Sequence, residues 1–146
     1  MTISTHSLRI AMIWLILVVC MILHFDYHVS ELFYGIDIKK PDANGTVPNS
    51  ILIIRGIFHF LPFGFILVNL WTNNSIWRKI QIGIAGIYTL AHGFHLSGEL
   101  SKGDNPSQIL LLATTFLISV FLIIACISSV KNRNKTSHKN YEPESR

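Results

Sequence analysis

Four long apolar runs decide most of what this chain can fold into: Ile10 to Phe25, Ile51 to Trp71, Ile80 to Leu96 and Ile109 to Val130. With flanking residues, each supplies about 20 helical residues at about 1.5 Å rise, which matches a hydrocarbon core of about 30 Å. Lipid offers a backbone amide no partner, so such runs must close their hydrogen bonds internally, as helices. A barrel would need alternating strands, and none of the runs alternates. Only 14% of the 146 residues are charged, against roughly 25% in soluble domains, and this balance points the same way. The expected fold is all-α: a four-helix transmembrane bundle, residues 1–131, with helices at about 8–33, 51–71, 77–99 and 107–131.

The first run is not read as a signal peptide, because no small-x-small cleavage site follows it; the chain continues with His24, Phe25, Asp26, Tyr27 and His28. Bulky Val19 before Cys20 argues against a lipoprotein anchor. Cys20 and Cys126 fall at depths differing by roughly 10 Å, too far apart for a disulfide, and read as small core hydrophobes.

An even number of spans puts both termini on one side. That side collects Arg9, Arg78, Lys79, Lys131, Arg133, Lys135, Lys139 and Arg146, whereas the other has Lys39, Lys40 and Lys102. The excess predicts cytoplasmic termini and an up-down-up-down order in a plasma (inner) membrane. It also explains the net charge of +4 without nucleic acid. The polar tail, 132–146, is expected to be disordered. Short loops favour antiparallel neighbours, with the first and third helices parallel and diagonal across the core. Gly83, Gly86 and Gly93 on the third helix would permit close helix approach. Trp71 and Trp77 flank the second loop and suit an interfacial belt.

Ionisable residues inside a span are costly and generally face a bundle interior or cavity. His24, His28 and Glu31, at offsets of four and seven, share one face of the first helix. His92, His95 and Glu99, at offsets of three and seven, share one face of the third. Arg55 and His59 share a face of the second. With the predicted topology, all five histidines fall in the outer half of the bundle, His59 and His92 roughly 10–12 Å from the outer surface.

A nitrogen-rich set with two carboxylates suits Zn²⁺, Fe²⁺ or Mn²⁺. The leading expectation is a metal-dependent membrane enzyme or redox protein acting on a lipid-like substrate. His24, His28, His59, His92 and His95 would be its ligands, Glu31 and Glu99 ligands or proton carriers, and Arg55 would orient substrate or balance charge. One alternative is b-type haem held by two of the histidines, in a protein anchoring an electron-transfer complex with a further membrane subunit. The other is a non-enzymatic protein that uses the cluster for proton transfer or helix packing. Pro62 should kink the second helix one turn below His59. The fourth helix, without charge from Gln108 to Lys131, reads as scaffold.

Overall fold

The computed structural model describes residues 4–39, 43–72, 74–103 and 105–139, with side chains to 132. Lys40, Pro41, Asp104 and the tail beyond 139 lie outside the described residues. Every regular element among the described residues is helical. α1 (Thr5–Ser30) starts at Ser4, whose hydroxyl accepts the Ser7 amide. A 3₁₀ turn, Glu31–Tyr34, follows and ends at Gly35 with φ 74°, a left-handed backbone that glycine adopts without strain. α2 spans Asn49–Trp71, α3 Ser75–Lys102 and α4 Pro106–Lys139. Asn74 caps α3 by accepting the Ile76 amide at 2.8 Å. Asn105 caps α4 by accepting the Ser107 amide at 3.1 Å, with Pro106 in the first helical position, where its missing N–H costs nothing.

Three helices, Thr5–Tyr34, Asn49–Trp71 and Pro106–Asn132, are long and apolar enough to cross a membrane. α3 is as long but carries Arg78, Lys79, Gln81, His92, His95, Glu99 and Lys102. The outer surface is apolar: Leu15, Ile22, Leu67, Leu90, Leu110 and Phe121 are all exposed.

α1 packs its backbone against α2 and α4, and α3 packs against α4. α1 and α3 are therefore diagonal and meet through side chains. The core is centred on Trp14, fully buried, whose ring stands 4.9 Å from both Phe65 of α2 and Tyr88 of α3. Ile10, Leu17, Ala85, Leu122 and Cys126 complete it. Cys20 and Cys126 are buried free thiols. The antiparallel register of α3 on α4 is marked by Arg78 bonding Ser129 and by Thr89 donating to the Ser119 carbonyl at 3.0 Å. Thr114 and Thr115 bond carbonyls one turn back in α4, and Ser119 bonds the Phe116 carbonyl.

Three expectations change. α4 continues as helix through Lys139, past the boundary at 131, because nothing in that stretch breaks a helix until Pro143. Of the three glycines, only Gly93 lies at a close approach: a Cβ there would stand 3.2 Å from the Phe116 ring, whereas Gly83 and Gly86 face open space. Trp77 packs on the core against Phe65, 5.9 Å between rings, and only Trp71 of the pair is exposed.

α2 carries a π-helical turn at Gly56–Phe60, where the Leu61 amide donates five residues back to Gly56. In that register the carbonyl of Ile57 awaits the amide of residue 62, which is proline and has none. The Tyr88 hydroxyl donates to the Ile57 carbonyl in its place. The irregularity expected from Pro62 is thus a π turn above it, closed by a side chain from α3.

Candidate functional site

The buried stripe of α3 holds Arg78, Gln81, Ala85, Tyr88, His92 and Glu99. Steps of three and four keep one face of a helix on a neighbouring seam. On α3 that seam is polar almost throughout, which is unusual for a bundle with an apolar exterior. It divides into two ends separated by the plug of Trp14, Phe65, Ala85 and Leu122.

At one end, His24 on α1 and His95 on α3 face each other with their Nε2 atoms 3.1 Å apart. Two neutral imidazoles at this distance share one proton: one ring donates, the other accepts. His28, one turn along α1, stacks edge-on against His24 with ring centroids 4.7 Å apart, and His95 lies 5.0 Å from His24 in the same sense. Glu99 and Gln108 lie beside the His24 ring. Glu99 is buried and its carboxylate also takes the Lys102 ammonium at 2.9 Å. His24 is buried, His28 half-buried and His95 exposed at the edge of the bundle. The group therefore reaches from the interior to the surface.

The other candidates separate from it. His92, buried one turn deeper on α3, packs its ring against Phe58 at 5.6 Å and Tyr88 at 6.3 Å. His59 lies with Arg55, Ile22, Phe25 and Phe60 in a groove on the α1–α2 side. Glu31 lies in a second groove of about 450 Å³ with Tyr27, Tyr34, Asn105 and Gln108. So three of the five histidines meet and Glu99 joins them; His92 lies one turn from His95, Glu31 lines the neighbouring groove that includes Gln108, and His59 and Arg55 stand on another side. Among the described residues, no group of three His, Cys, Asp or Glu side chains is placed to hold a metal ion. The helical offsets give each residue's angle about its own helix; they contain no information on which neighbour it meets.

Sequence reasoning misses Gln108, because α4 reads there as scaffold. It is buried, lines the second groove and approaches His24. His92 Nε2 is buried with no hydrogen-bond partner among the described residues, and the buried amide of Gln108 turns toward the His24 ring. Buried polar groups without partners carry a free-energy cost and mark sites with a role beyond packing. The sequence signal for Gln108 is its position as a single polar residue at the start of an apolar run.

Compared with protein-family models, curated proteins and solved structures, the chain matches none. The chemistry of its own residues is therefore the guide to its role.

At the opposite end of the seam, Arg78 is buried and bonds Ser129 of α4 together with Ser4 and Ser7 at the start of α1, at 3.2 and 3.3 Å. In the sequence, Arg78 reads as one more cytoplasmic charge. Its guanidinium has five donors in a fixed fork and can gather hydroxyls from several helices at once.

Proposed function

We propose that this is an integral membrane protein with four spans and cytoplasmic termini, whose histidine pair exchanges protons with the outer side and latches α1 to α3. The fourth span is argued from register. Contacts of α3 run from Arg78 against Ser129 to His95 against His24, a rise of about 25 Å at about 1.5 Å per residue. A helix paired with a membrane-crossing neighbour over that length shares its slab of bilayer. Its polar stripe is then tolerated because it faces inward.

The observation that carries the functional reading is the Nε2–Nε2 contact of His24 and His95. Histidine changes charge between pH 5 and 8. With one shared proton the pair holds α1 and α3 together. One added proton leaves a charged N–H···N bond between an imidazolium and an imidazole. When a further proton makes both rings cationic, both facing nitrogens are donors, the bond is abolished and two cations stand side by side, with His28 adding to the repulsion once charged. Glu99 partly offsets that charge; Lys102, His92, Gln108 and Glu31 are the other polar groups nearby. His95, exposed, is the entry point. The Trp14 plug separates the pair from Arg78, so exchange is one-sided and the response is a change in the α1–α3 contact rather than a steady current.

The test is ¹⁵N-histidine NMR of the full chain in nanodiscs, with spin labels at Ser30→Cys and Ser101→Cys. An N–H···N coupling at pH 7.5 that disappears by pH 5, with a label distance that grows over the same range, supports the latch. An unchanged distance in the wild type, or the same change in His95→Gln, rejects it.

A metal-dependent enzyme or redox protein is the second reading. It starts from His24, His28 and His95 lying side by side near Glu99 and requires them to close up around an ion, since as they stand no three of them are placed to hold one. Elemental analysis of the detergent-purified chain decides it. Close to one equivalent of zinc, iron or manganese, lost in His95→Ala, would replace the latch; less than about 0.2 equivalents, unchanged by that substitution, removes the metal. A Soret band in the same sample would identify haem.

A further inference from the structure

The seat of Arg55 and His59 lies apart from the histidine latch, on a different face of the bundle. Arg55 is six residues into α2 from Asn49, about 9 Å along the axis at about 1.5 Å per residue. That places a permanent cation at the boundary of the hydrocarbon on the α1–α2 face. Among the described residues, no carboxylate pairs with it. Its guanidinium stands over the Phe25 ring, 6.0 Å from the centroid, within reach of a cation–π attraction. His59 shares the groove, which measures about 350 Å³, and its Nδ1 is buried without a partner among the described residues. Ile22, Phe25 and the largely exposed Phe60 form apolar walls.

The π turn sets this arrangement. It begins immediately after Arg55 and contains His59 and Phe60, and the groove brings all three side chains together. Single π turns inside α-helices recur at functional positions. A cation and an imidazole at the rim of an otherwise apolar groove, open sideways, form an amphiphilic template. The planar guanidinium fork matches a phosphate bidentately, and the imidazole offers a further polar contact. Isoleucine and phenylalanine walls match an acyl chain. We infer that Arg55 and His59 form a binding seat for an anionic phospholipid, its phosphate on Arg55 and its chain along Ile22, Phe25 and Phe60. The inference rests on the membrane reading and is independent of the latch.

Native mass spectrometry of the full-length chain in a neutral detergent tests it, with phosphatidylglycerol and phosphatidylcholine of the same acyl composition as probes. The expected result is a phosphatidylglycerol preference of roughly tenfold, the size of one desolvated charge contact. Arg55→Gln should abolish that preference, Arg55→Lys should retain part of it, and Arg9→Gln at the other end of the bundle should leave it intact. Preference retained in Arg55→Gln, or absent from the wild type, overturns the proposal. If Arg55→Gln does not fold, Phe25→Ala decides: a folded Phe25→Ala chain with undiminished phosphatidylglycerol affinity also overturns it. A chain released from membranes by alkaline washing fails the membrane reading instead, which keeps the two failures distinct.

Discussion

Pro62 removes one backbone donor from α2, and the consequence reaches across to α3. The π turn of Gly56–Phe60 transfers the deficit to the Ile57 carbonyl, and Tyr88 supplies the missing donor. A side-chain hydroxyl thus completes the backbone of a neighbouring helix. Tyr88→Phe keeps the ring packing on Trp14, Phe58 and Phe65 but leaves that carbonyl without its partner. The expected loss is about 1–2 kcal/mol, toward the upper end for interhelical bonds in membranes because the acceptor has no alternative. Pro62→Ala restores an amide to α2, so the double variant should lose less than the sum of the two singles. Thermal unfolding of all four proteins in one detergent measures this cycle, and strict additivity would contradict the account. The proline is visible in the sequence. Tyr88 is not identifiable there as its complement, because α2 and α3 are related only by the fold.

At the scale of elements, α3 departs furthest from an ordinary span. Its inward face is polar from Arg78 to Glu99, and the sequence reading recognises that pattern only from His92 onward. Arg78 falls to a helix end in that reading because basic residues beside a tight loop usually mark the cytoplasmic interface. In the structure, Arg78 turns inward and ties three segments through Ser4, Ser7 and Ser129. Arg78→Ala should therefore loosen the first turn of α1 and the part of α4 around Ser129 together. The expected cost is about 2 kcal/mol or more, since hydrogen bonds to a charged group contribute about 1.5–3 kcal/mol each. Hydrogen exchange should rise first at residues 5–10 and around Ser129, and far less at His24 and His95 beyond the Trp14 plug. Exchange that rises evenly along the bundle would show that the two ends are not separate units. The outward faces need no such device, because Leu90, Leu110 and Phe121 are exposed apolar side chains.

For the whole molecule, the decisive quantity is the number of crossings. Three helices qualify on their own composition, and the fourth crossing is the proposal drawn from the packing of α3 along α4. A four-span chain puts the α1–α2 and α2–α3 loops on opposite faces. Val47→Cys should react with a membrane-impermeant maleimide in intact cells, and Thr72→Cys only after permeabilisation. Cys20 and Cys126 are buried and give little background. Labelling of both loops from one side would leave α3 outside the bilayer and remove the four-span arrangement with it.

The linear pattern by itself determined the helical class and the ranges of the helices, apart from the end of α4. Those properties follow from local periodicity and from the rule that a backbone in lipid must satisfy itself. Only the tertiary structure decided which faces meet. It joined His24 to His95 and set His59 with Arg55 on another side. It buried Arg78 among serines and brought Gln108 from a helix that reads as scaffold. Whether two imidazoles touch depends on the rotation and offset of one helix against another, which is fixed by how Trp14, Phe65, Tyr88 and Leu122 fill the centre. That packing is a collective property of residues far apart in the chain, and spacing along any one helix does not contain it.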